Sequence, residues 1–184
     1  MLQTVDEARE MIEALFEFLT SIDHWERRLL QNTGIFVSHI ERDGVVGGSG
    51  ERAKSERPKR AESSVLCMRL LPQPYMSNQF DAVHGGYTAG LVDVLSSLII
   101  ALHTSAKQSE PWSTLGVSNG ISINYMLPTQ INHWIEVEVR TLRVGRTQAL
   151  TLVHIYQLES RDGKRVRHTI TATHAKTDVS VPKL

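Results

Sequence analysis

Hydrophobic residues near the start of the chain recur with the spacing of an amphipathic helix. The apolar positions, mostly three or four residues apart, are Val5, Ala8, Met11, Ile12, Leu15, Leu19 and Ile22. This is the period of one helix face. Thr4 and Glu7 have the spacing of a capping box, and residues 21–23 are suited to cap a second helix that carries Trp25. The pattern predicts a helical extension over residues 1–31, whose apolar stripe packs on its own domain.

The pattern of the next segment, residues 32–63, is looser. Residues 33–41 predict a short strand, with Ile35 and Val37 on one face. Beyond this strand the chain is rich in glycine and charge, and no apolar residue larger than alanine occurs from residue 47 to residue 64. Such a stretch buries too little apolar surface to offset the entropy of ordering it. We therefore predict a short strand followed by a flexible, charged loop.

The remaining segment, residues 64–184, has the pattern of a compact α+β domain. A strand is predicted at residues 65–71, and a helix at 84–104 is apolar almost all the way round. Extended stretches follow near 114–126, 133–144, 146–159 and 164–178. The last three alternate apolar and polar residues, and Asp162-Gly163 predicts a two-residue hairpin between the final pair. One helix followed by an antiparallel meander implies a sheet wrapped around a buried helix.

Charge is balanced over the chain as a whole but not within its segments. The 184 residues, enough for one domain with an appendage, include 20 basic and 20 acidic side chains. Residues 1–31 hold three basic and seven acidic residues, a net −4, whereas residues 64–184 hold eleven and eight, a net +3. The balance excludes a uniformly basic nucleic-acid-binding protein. It leaves room for a local basic patch that binds a polyanionic ligand.

Several features bear on the compartment. The single cysteine, Cys67, excludes an intrachain disulfide and suits a reducing environment, and no apolar run approaches the ~20 residues that cross a bilayer. The acidic N-terminal segment resembles neither a secretory signal nor a transit peptide. We therefore expect an intracellular, cytoplasmic protein without a membrane span. The C-terminal Pro182-Lys183-Leu184 resembles the peroxisomal Ser-Lys-Leu signal, which leaves a peroxisome as a second location, and a mitochondrial location also stays open.

The apolar helix contains one acidic residue, Asp93. A buried ionised carboxylate costs several kcal/mol unless it is paired or hydrogen-bonded. Two interpretations are open from the helix alone. Asp93 is either partly exposed or bonded to a nearby hydroxyl such as Ser96 or Ser97, or it is a catalytic carboxylate.

The start of the same helix offers a second chemical feature, the pair Gly85-Gly86. Backbone N–H groups at a helix start lack intrahelical partners, and with the helix dipole they favour a developing oxyanion. Gly85 and Asp93 are eight positions apart, which is about 12 Å of helix rise. One chain's Asp93 therefore cannot easily serve its own Gly85, and a site that uses both residues combines two chains.

Three ordered motifs stand out in residues 78–147. The first is Asn78-Gln79-Phe80-Asp81-Ala82-Val83-His84-Gly85-Gly86 with Asp93 eight residues after Gly85; the second is Gly116-Val117-Ser118-Asn119-Gly120-Ile121-Ser122-Ile123-Asn124-Tyr125-Met126-Leu127-Pro128; the third is Arg143-Val144-Gly145-Arg146-Thr147. Together they resemble the hotdog-fold acyl-CoA thioesterases, in particular the PaaI-like branch that includes eukaryotic acyl-CoA thioesterases. The resemblance covers residues 64–179. It implies a hotdog fold, in which an antiparallel sheet wraps around one long central helix, here with an N-terminal helical extension.

The resemblance also implies roles for individual residues. Asp93 is the expected general base or nucleophile, the Gly85 amide is the oxyanion donor, and Asn78 holds the carbonyl or the water. Ser118 places water beside the carboxylate, and His84 supports the site by hydrogen bonding. In such proteins the Asn/His/Gly group faces the Asp/Ser group across a dimer interface. We therefore expect a homodimer or homotetramer with sites at the dimer interface, acting on a small-molecule acyl-CoA.

Coenzyme A carries phosphates, and basic residues are frequent between residues 140 and 167. Arg143 and Arg146 flank the family-like glycine turn and are the preferred contacts to coenzyme A, together with Gly86. Others that could meet the phosphates are Arg140, Lys164, Arg165 and Arg167. No cofactor is expected, because the thioester itself is activated.

No metal-ligand spacing is present in the sequence. His168 and His174 share a strand face by parity, with His154 nearby, and are interpreted as polar strand residues. Cys67 is interpreted as structural.

The expected reaction is hydrolysis of an acyl-CoA to a free carboxylic acid and coenzyme A. Two alternatives stay open. One is a hotdog protein that binds an acyl-CoA or acyl carrier without catalysis, and the other is a hotdog dehydratase or hydratase. Acyl-chain length, aryl preference and the choice between dimer and tetramer are not determined by the sequence.

Overall fold

The fold is that of a computed structural model, which describes residues 5–21, 23–42, 63–104 and 111–180. Its helices are α1 (Val5–Ser21), α2 (Trp25–Leu30) and α3 (Gly85–Leu98), and its strands are β1 (Phe36–Arg42), β2 (Ser64–Leu70), β3 (Val117–Tyr125), β4 (Ile135–Val144), β5 (Gln148–Leu158) and β6 (Arg165–Thr177). Short 3₁₀ segments occur at Pro74–Met76 and Ile99–His103. The predicted flexible loop, Thr4 and the C-terminal tripeptide lie outside the described residues.

All six strands form one antiparallel sheet in the order β1-β2-β4-β5-β6-β3. Alternate residues of the strands point toward α3, as Ile135, Val137 and Val139 show with exposures of 1% or less. Helix α3 and the following 3₁₀ segment bury a continuous apolar surface against this face. The α+β architecture, an antiparallel sheet around one long helix, is the predicted one.

The N-terminal helices complete one end of the core. Helix α1 buries Ala8, Ile12 and Phe16, and its Arg9 donates a 2.7 Å hydrogen bond to the Val37 carbonyl of β1. The stripe therefore packs on its own domain, as predicted. The predicted cap of the second helix at residues 21–23 is wrong, because α2 begins after His24, whose side chain makes no capping hydrogen bond. The division of the chain at residues 31 and 63 stays a prediction.

Helix α3 and its 3₁₀ extension form a 19-residue apolar segment, Gly85–His103, which is long enough to cross a membrane. The prediction that the chain contains no apolar segment of nearly this length is therefore wrong. In the structure, 61% of the most apolar window is buried inside the protein. Burial against the sheet accounts for the hydrophobicity, as in the core helix of a folded domain.

Two local features of β5 and β6 differ from their predicted form. The link between these strands is not a two-residue Asp162-Gly163 hairpin but a six-residue loop, residues 159–164, closed by a bond from the Gly163 N–H to the Ser160 carbonyl. In β6, a register shift lies where Tyr156 pairs with His168 and Ile155 with Ile170. The skipped residue is Thr169, whose buried hydroxyl donates to the Ile155 carbonyl.

The shift at Thr169 moves His168 to the face of the sheet away from α3, while His174 lies on the face toward α3. The prediction that these two histidines share a face is therefore wrong. His168 instead contacts His154, with 3.1 Å between Nε2 and Nδ1.

Candidate functional site

The first half of the candidate site is at the start of α3. His84 is the N-cap residue, and its Nδ1 accepts a 2.9 Å hydrogen bond from the Gly86 N–H. The Gly86 amide is therefore already occupied, which weakens the prediction that it contacts coenzyme A. Gly85 is the first helical residue, a position whose N–H has no acceptor within the helix. The Gly85 amide is thus the better oxyanion donor of the pair.

Asn78 is held in a tight turn beside this helix start. Its Oδ1 accepts hydrogen bonds from the N–H groups of Phe80 (2.8 Å) and Ala82 (3.2 Å). The turn is completed by Asp81 in the left-handed region, with φ of 56°. Because the side-chain oxygen is engaged by the backbone, the Nδ2 hydrogens remain as the polar atoms that can bind a carbonyl oxygen.

A cavity of about 490 Å³ connects these groups. Asn78, Gly85 and Thr88 line one side, and the apolar residues that follow β3, including Met126 and Leu127, line the other. Tyr125 closes the space beside the helix start, since its hydroxyl donates a 2.9 Å bond to the Gly85 carbonyl. A Cβ at position 85 would lie 3.4 Å from that hydroxyl, in ordinary van der Waals contact.

The second half of the site surrounds Asp93, two helical turns further along α3. Ser118 of β3 donates a 2.5 Å hydrogen bond to Asp93 Oδ1, and the Asp93 side chain is 44% exposed. The nearby serines make other contacts: Ser97 Oγ donates to the Asp93 backbone carbonyl, and Ser96 bonds His174. The carboxylate therefore points at Ser118 and open space rather than at a local hydroxyl of its own helix.

Two buried basic residues of β6, His174 and Lys176, lie behind this carboxylate, and sequence reasoning did not place them there. His174 is fully buried; its Nδ1 is 2.6 Å from Ser96 Oγ and its Nε2 is 3.5 Å from Asp93 Oδ1. Lys176 is 3% exposed and its Nζ donates a 2.8 Å bond to Ser97 Oγ. The two-residue spacing of a His and a Lys at the end of a strand was the available signal.

Burial controls the protonation of both basic residues. Loss of hydration, with the positive charge of Lys176, lowers the pKa of His174 to about 4, although Asp93 acts in the opposite sense. His174 is therefore neutral near pH 7. Burial also lowers the pKa of Lys176, partly offset by the Asp93 carboxylate. Lys176 is thus a buried electrostatic partner of the Asp93 carboxylate.

The comparisons with known proteins bear on this arrangement. The family model described as "Thioesterase superfamily" matches residues 80–164, which include Gly85, Asp93 and Ser118. The match spans just under half of the chain and supports a likeness to this superfamily. Human acyl-coenzyme A thioesterase 13 is 30% identical over 95 residues, which are 52% of this chain and 62% of that relative.

Solved structures of thioesterases share the fold. Zebra fish thioesterase superfamily member 2 aligns with 96% of this chain and 99% of its own, with a TM-score of 0.60 and 20% identity. A Streptococcus pneumoniae hypothetical thioesterase with coenzyme A aligns with 92% and 98%, with a TM-score of 0.57 and 17% identity. The predicted hotdog fold and enzyme class, a thioester hydrolase, are confirmed. The substrate and the roles of individual residues stay predictions.

The glycine turn between β4 and β5 forms a third feature. Arg143 and Arg146 border a cavity of about 460 Å³, together with Gly145, Thr147, Gln148, Ala149, Leu150 and Ala175. The Gly145 N–H donates to the Gln148 carbonyl and closes the predicted turn. Because Val117 and Gln148 both pair with Thr177, the turn lies at the same end of the sheet as Ser118.

Two of the other predicted phosphate contacts are engaged elsewhere. Arg140 bonds Glu138 at 2.7 Å and Arg165 bonds Glu138 at 2.6 Å, and Arg165 also pairs with Glu136. Burial tends to raise the pKa of Glu138, but the hydrogen bonds from both arginines outweigh it and lower the pKa below its usual value. These arginines neutralise buried carboxylates on the outer face of the sheet. Arg143 and Arg146 instead border a cavity, which makes them better candidates for phosphate ligands than Arg140 and Arg165.

No cluster of three or more His, Cys, Asp or Glu side chains suited to a metal ion occurs within the described parts of the thioesterase chain. Cys67 is buried beside Glu136 and Glu138, and burial first, then these charges, raises the pKa of its thiol to about 12. A thiol with such a pKa is a poor nucleophile at neutral pH, which supports its interpretation as a structural residue.

Proposed function

We propose that this chain hydrolyses acyl-CoA thioesters to a free carboxylic acid and coenzyme A, with Asp93 as the general base. The observation that carries the proposal is the Asp93 carboxylate itself. It projects from an apolar helix, accepts a short bond from Ser118 and is backed by buried Lys176 and His174. Burial of ionisable groups beside a carboxylate costs folding free energy, and such groups are concentrated at functional sites.

In the proposed reaction, Asp93 takes a proton from a water molecule that Ser118 helps to orient. The water oxygen bonds to the thioester carbonyl carbon, and the carbonyl electrons move to oxygen. The Gly85 N–H and Asn78 Nδ2 stabilise this oxyanion. When the intermediate collapses, the C–S bond breaks and the departing thiolate receives the proton from Asp93. Alternatively, Asp93 attacks the carbonyl carbon directly, the C–S bond breaks and coenzyme A leaves as the thiolate. Water then cleaves the resulting anhydride, which releases the acid, restores the Asp93 carboxylate and supplies the proton that the thiolate takes up.

The two halves of the site are proposed to come from two chains. Gly85 and Asp93 are separated by about 12 Å of helix rise, too far for one thioester group to contact both. Strand β3 lies at an edge of the sheet and carries exposed apolar residues, with Val117 at 50% and Tyr125 at 54%. An unpaired edge of this kind is a template for pairing with another strand. A homodimer, alone or doubled into a homotetramer, therefore completes each site.

We propose that the two cavities bind different parts of the substrate, the acyl chain in one and coenzyme A in the other. The apolar cavity beside Asn78 and Gly85 suits the acyl chain, because it directly borders the groups proposed to hold the carbonyl. Arg143 and Arg146 provide bidentate donors for the phosphates of coenzyme A. We propose no resident cofactor, since a thioester has a good leaving group and needs only a base and an oxyanion hole.

Thiol release from a panel of acyl-CoAs tests the proposal. Asp93→Asn should lower kcat by at least about a hundredfold, the usual lower range for loss of a general base, with binding of coenzyme A retained. Asp162→Asn, in the exposed β5–β6 loop, is the matched control and should leave kcat unchanged. Equal activity of wild type and Asp93→Asn would overturn the assignment.

The same panel separates the alternatives. Binding of acyl-CoA by the wild type without thiol release would favour a non-catalytic binding protein. Conversion between 3-hydroxyacyl-CoA and enoyl-CoA without thiol release would favour a dehydratase or hydratase.

A further inference from the structure

Trp112 is a buried residue in a backbone conformation that tryptophan rarely adopts. It is 0% exposed and has φ of 60°, in the left-handed region that is sterically unfavourable for a non-glycine residue. A strained conformation of this kind persists only where surrounding contacts fix it. Trp112 is not among the residues through which the chain resembles the thioesterase superfamily, and the proposed reaction does not use it directly.

Three hydrogen bonds connect Trp112 to the turn between β4 and β5 that carries Arg143 and Arg146, here called the arginine turn. Its indole Nε1 donates to the Gly145 carbonyl at 2.7 Å, and its backbone N–H donates to Asp178 Oδ2 at 2.8 Å. Asp178 in turn donates its own N–H to the Thr147 carbonyl at 2.9 Å. The turn is therefore held at two points, Gly145 and Thr147, by one buried tryptophan and the aspartate it contacts.

The same tryptophan packs under the start of β3. A Cβ at Gly116 would lie 2.8 Å from Trp112 Cζ3 and 2.7 Å from the Thr177 carbonyl oxygen. Gly116 has φ of 67° and stands two residues before Ser118. The indole thus sits between the strand that carries the Ser118 hydroxyl and the turn that carries Arg143 and Arg146.

We infer that Trp112 is a positioning residue that holds the Arg143–Arg146 turn for the phosphates of coenzyme A, and so favours coenzyme A thioesters over thioesters of small thiols. The inference rests on the proposed function. Its physical basis is that an arginine on a turn binds a phosphate more tightly when the turn is fixed before binding, because less ordering entropy is lost. Gly145 and Thr147 are fixed through the contacts of Trp112, and both border the cavity between the arginines.

Trp112→Phe tests the inference, because it removes the indole donor and keeps an aromatic ring. Loss of one buried hydrogen bond corresponds to about a fivefold change in an equilibrium constant. We expect the Kd for free coenzyme A, measured by calorimetry, and the KM for acyl-CoA to rise about fivefold. The KM for the matching acyl-N-acetylcysteamine thioester, which lacks the phosphates, should not change.

Trp134→Phe is the matched control. Trp134 precedes β4, whereas the arginine turn follows that ten-residue strand, so the two lie about 30 Å apart at 3.4 Å per residue. This substitution should change neither the Kd for coenzyme A nor the KM for either thioester. If Trp112→Phe does not fold, Asp178→Asn serves in its place, because it removes the negative charge of the carboxylate that accepts from the Trp112 N–H. Its folding is checked by circular dichroism.

A second comparison separates positioning from general damage. In an Arg143→Ala/Arg146→Ala background the Trp112→Phe effect on coenzyme A affinity should vanish, since the tryptophan acts through the arginines. Equal losses toward both thioesters, an unchanged affinity for coenzyme A, or no coenzyme A binding by wild type would each overturn the inference. Wild-type binding without hydrolysis would instead contradict the proposed function, while the affinity measurement would still decide the role of Trp112.

Discussion

Removal of the Ser118 hydroxyl is the sharpest test of how Asp93 is held. In Ser118→Ala the carboxylate loses its 2.5 Å hydrogen bond, and the methyl group leaves the backbone of β3 unchanged. A hydrogen bond to a charged group contributes about 1.5–3 kcal/mol, and the 44% exposure of Asp93 argues for the lower end. About 1.5 kcal/mol corresponds to a roughly tenfold loss of kcat.

The assay is release of thiol from a saturating acyl-CoA, with Ser122→Ala on the same strand as the control. Because Ser118 acts on the water only in concert with Asp93, the two substitutions should not be additive. Ser118→Ala should cost little further activity in an Asp93→Asn background. A full tenfold loss in that background, or an unchanged kcat in the single variant, would refute the account of this pair.

Three further predictions follow from the geometry. The pKa of His174 is lowered to about 4, so as pH falls the unfolded chain takes up a proton at this residue before the folded chain does. The free energy of unfolding should therefore decline between about pH 6.5 and 4 by up to about 3 kcal/mol. His174→Gln should flatten the dependence of Tm on pH over this range. Arg143→Ala and Arg146→Ala should each raise the KM for acyl-CoA about tenfold, the value of one lost charge-assisted bond, with little effect on kcat. Gly116→Ala should lower the unfolding free energy by about 2 kcal/mol or more, measured by urea denaturation, because its Cβ would lie 2.7 Å from the Thr177 carbonyl oxygen.

Much of the fold follows from periodicity that the sequence displays openly. Helix α3 is apolar almost all the way round, so its burial beneath the sheet could be predicted. The alternation predicted for β4 agrees with the burial of Ile135, Val137 and Val139. Residues near one another in the chain, such as Asn78 and Gly85, were also placed together correctly, because a single turn and helix start connect them.

The sequence was less informative where a single residue changes the register of a strand. Thr169 is an ordinary β-branched strand residue, yet the shift at this position puts His168 and His174 on opposite faces. Parity counted across such a shift gives the wrong face for every later residue. The two-residue spacing of His174 and Lys176 was visible in the sequence, but their position behind Asp93 was not.

Contacts between a side chain and a distant backbone atom could not be predicted from the sequence either. Trp112 contacts Gly145, 33 positions away, through a carbonyl oxygen, and any residue type at position 145 would present the same atom. The sequence carries no mark of such a bond. Only the left-handed conformation and complete burial of Trp112 reveal that the loop before β3 supports the arginine turn.

Complementation between two inactive variants tests the shared site most directly. Asp93→Asn and Asn78→Ala each disable one half-site, and each homodimer should be nearly inactive. If the proteins are mixed, unfolded and refolded together, half of the dimers pair one chain of each kind, and each mixed dimer holds one intact site. The mixture should regain about a quarter of the wild-type thioesterase activity. Activity that stays at the level of the separate variants, in a mixture shown to contain mixed dimers, would contradict a site built from two chains.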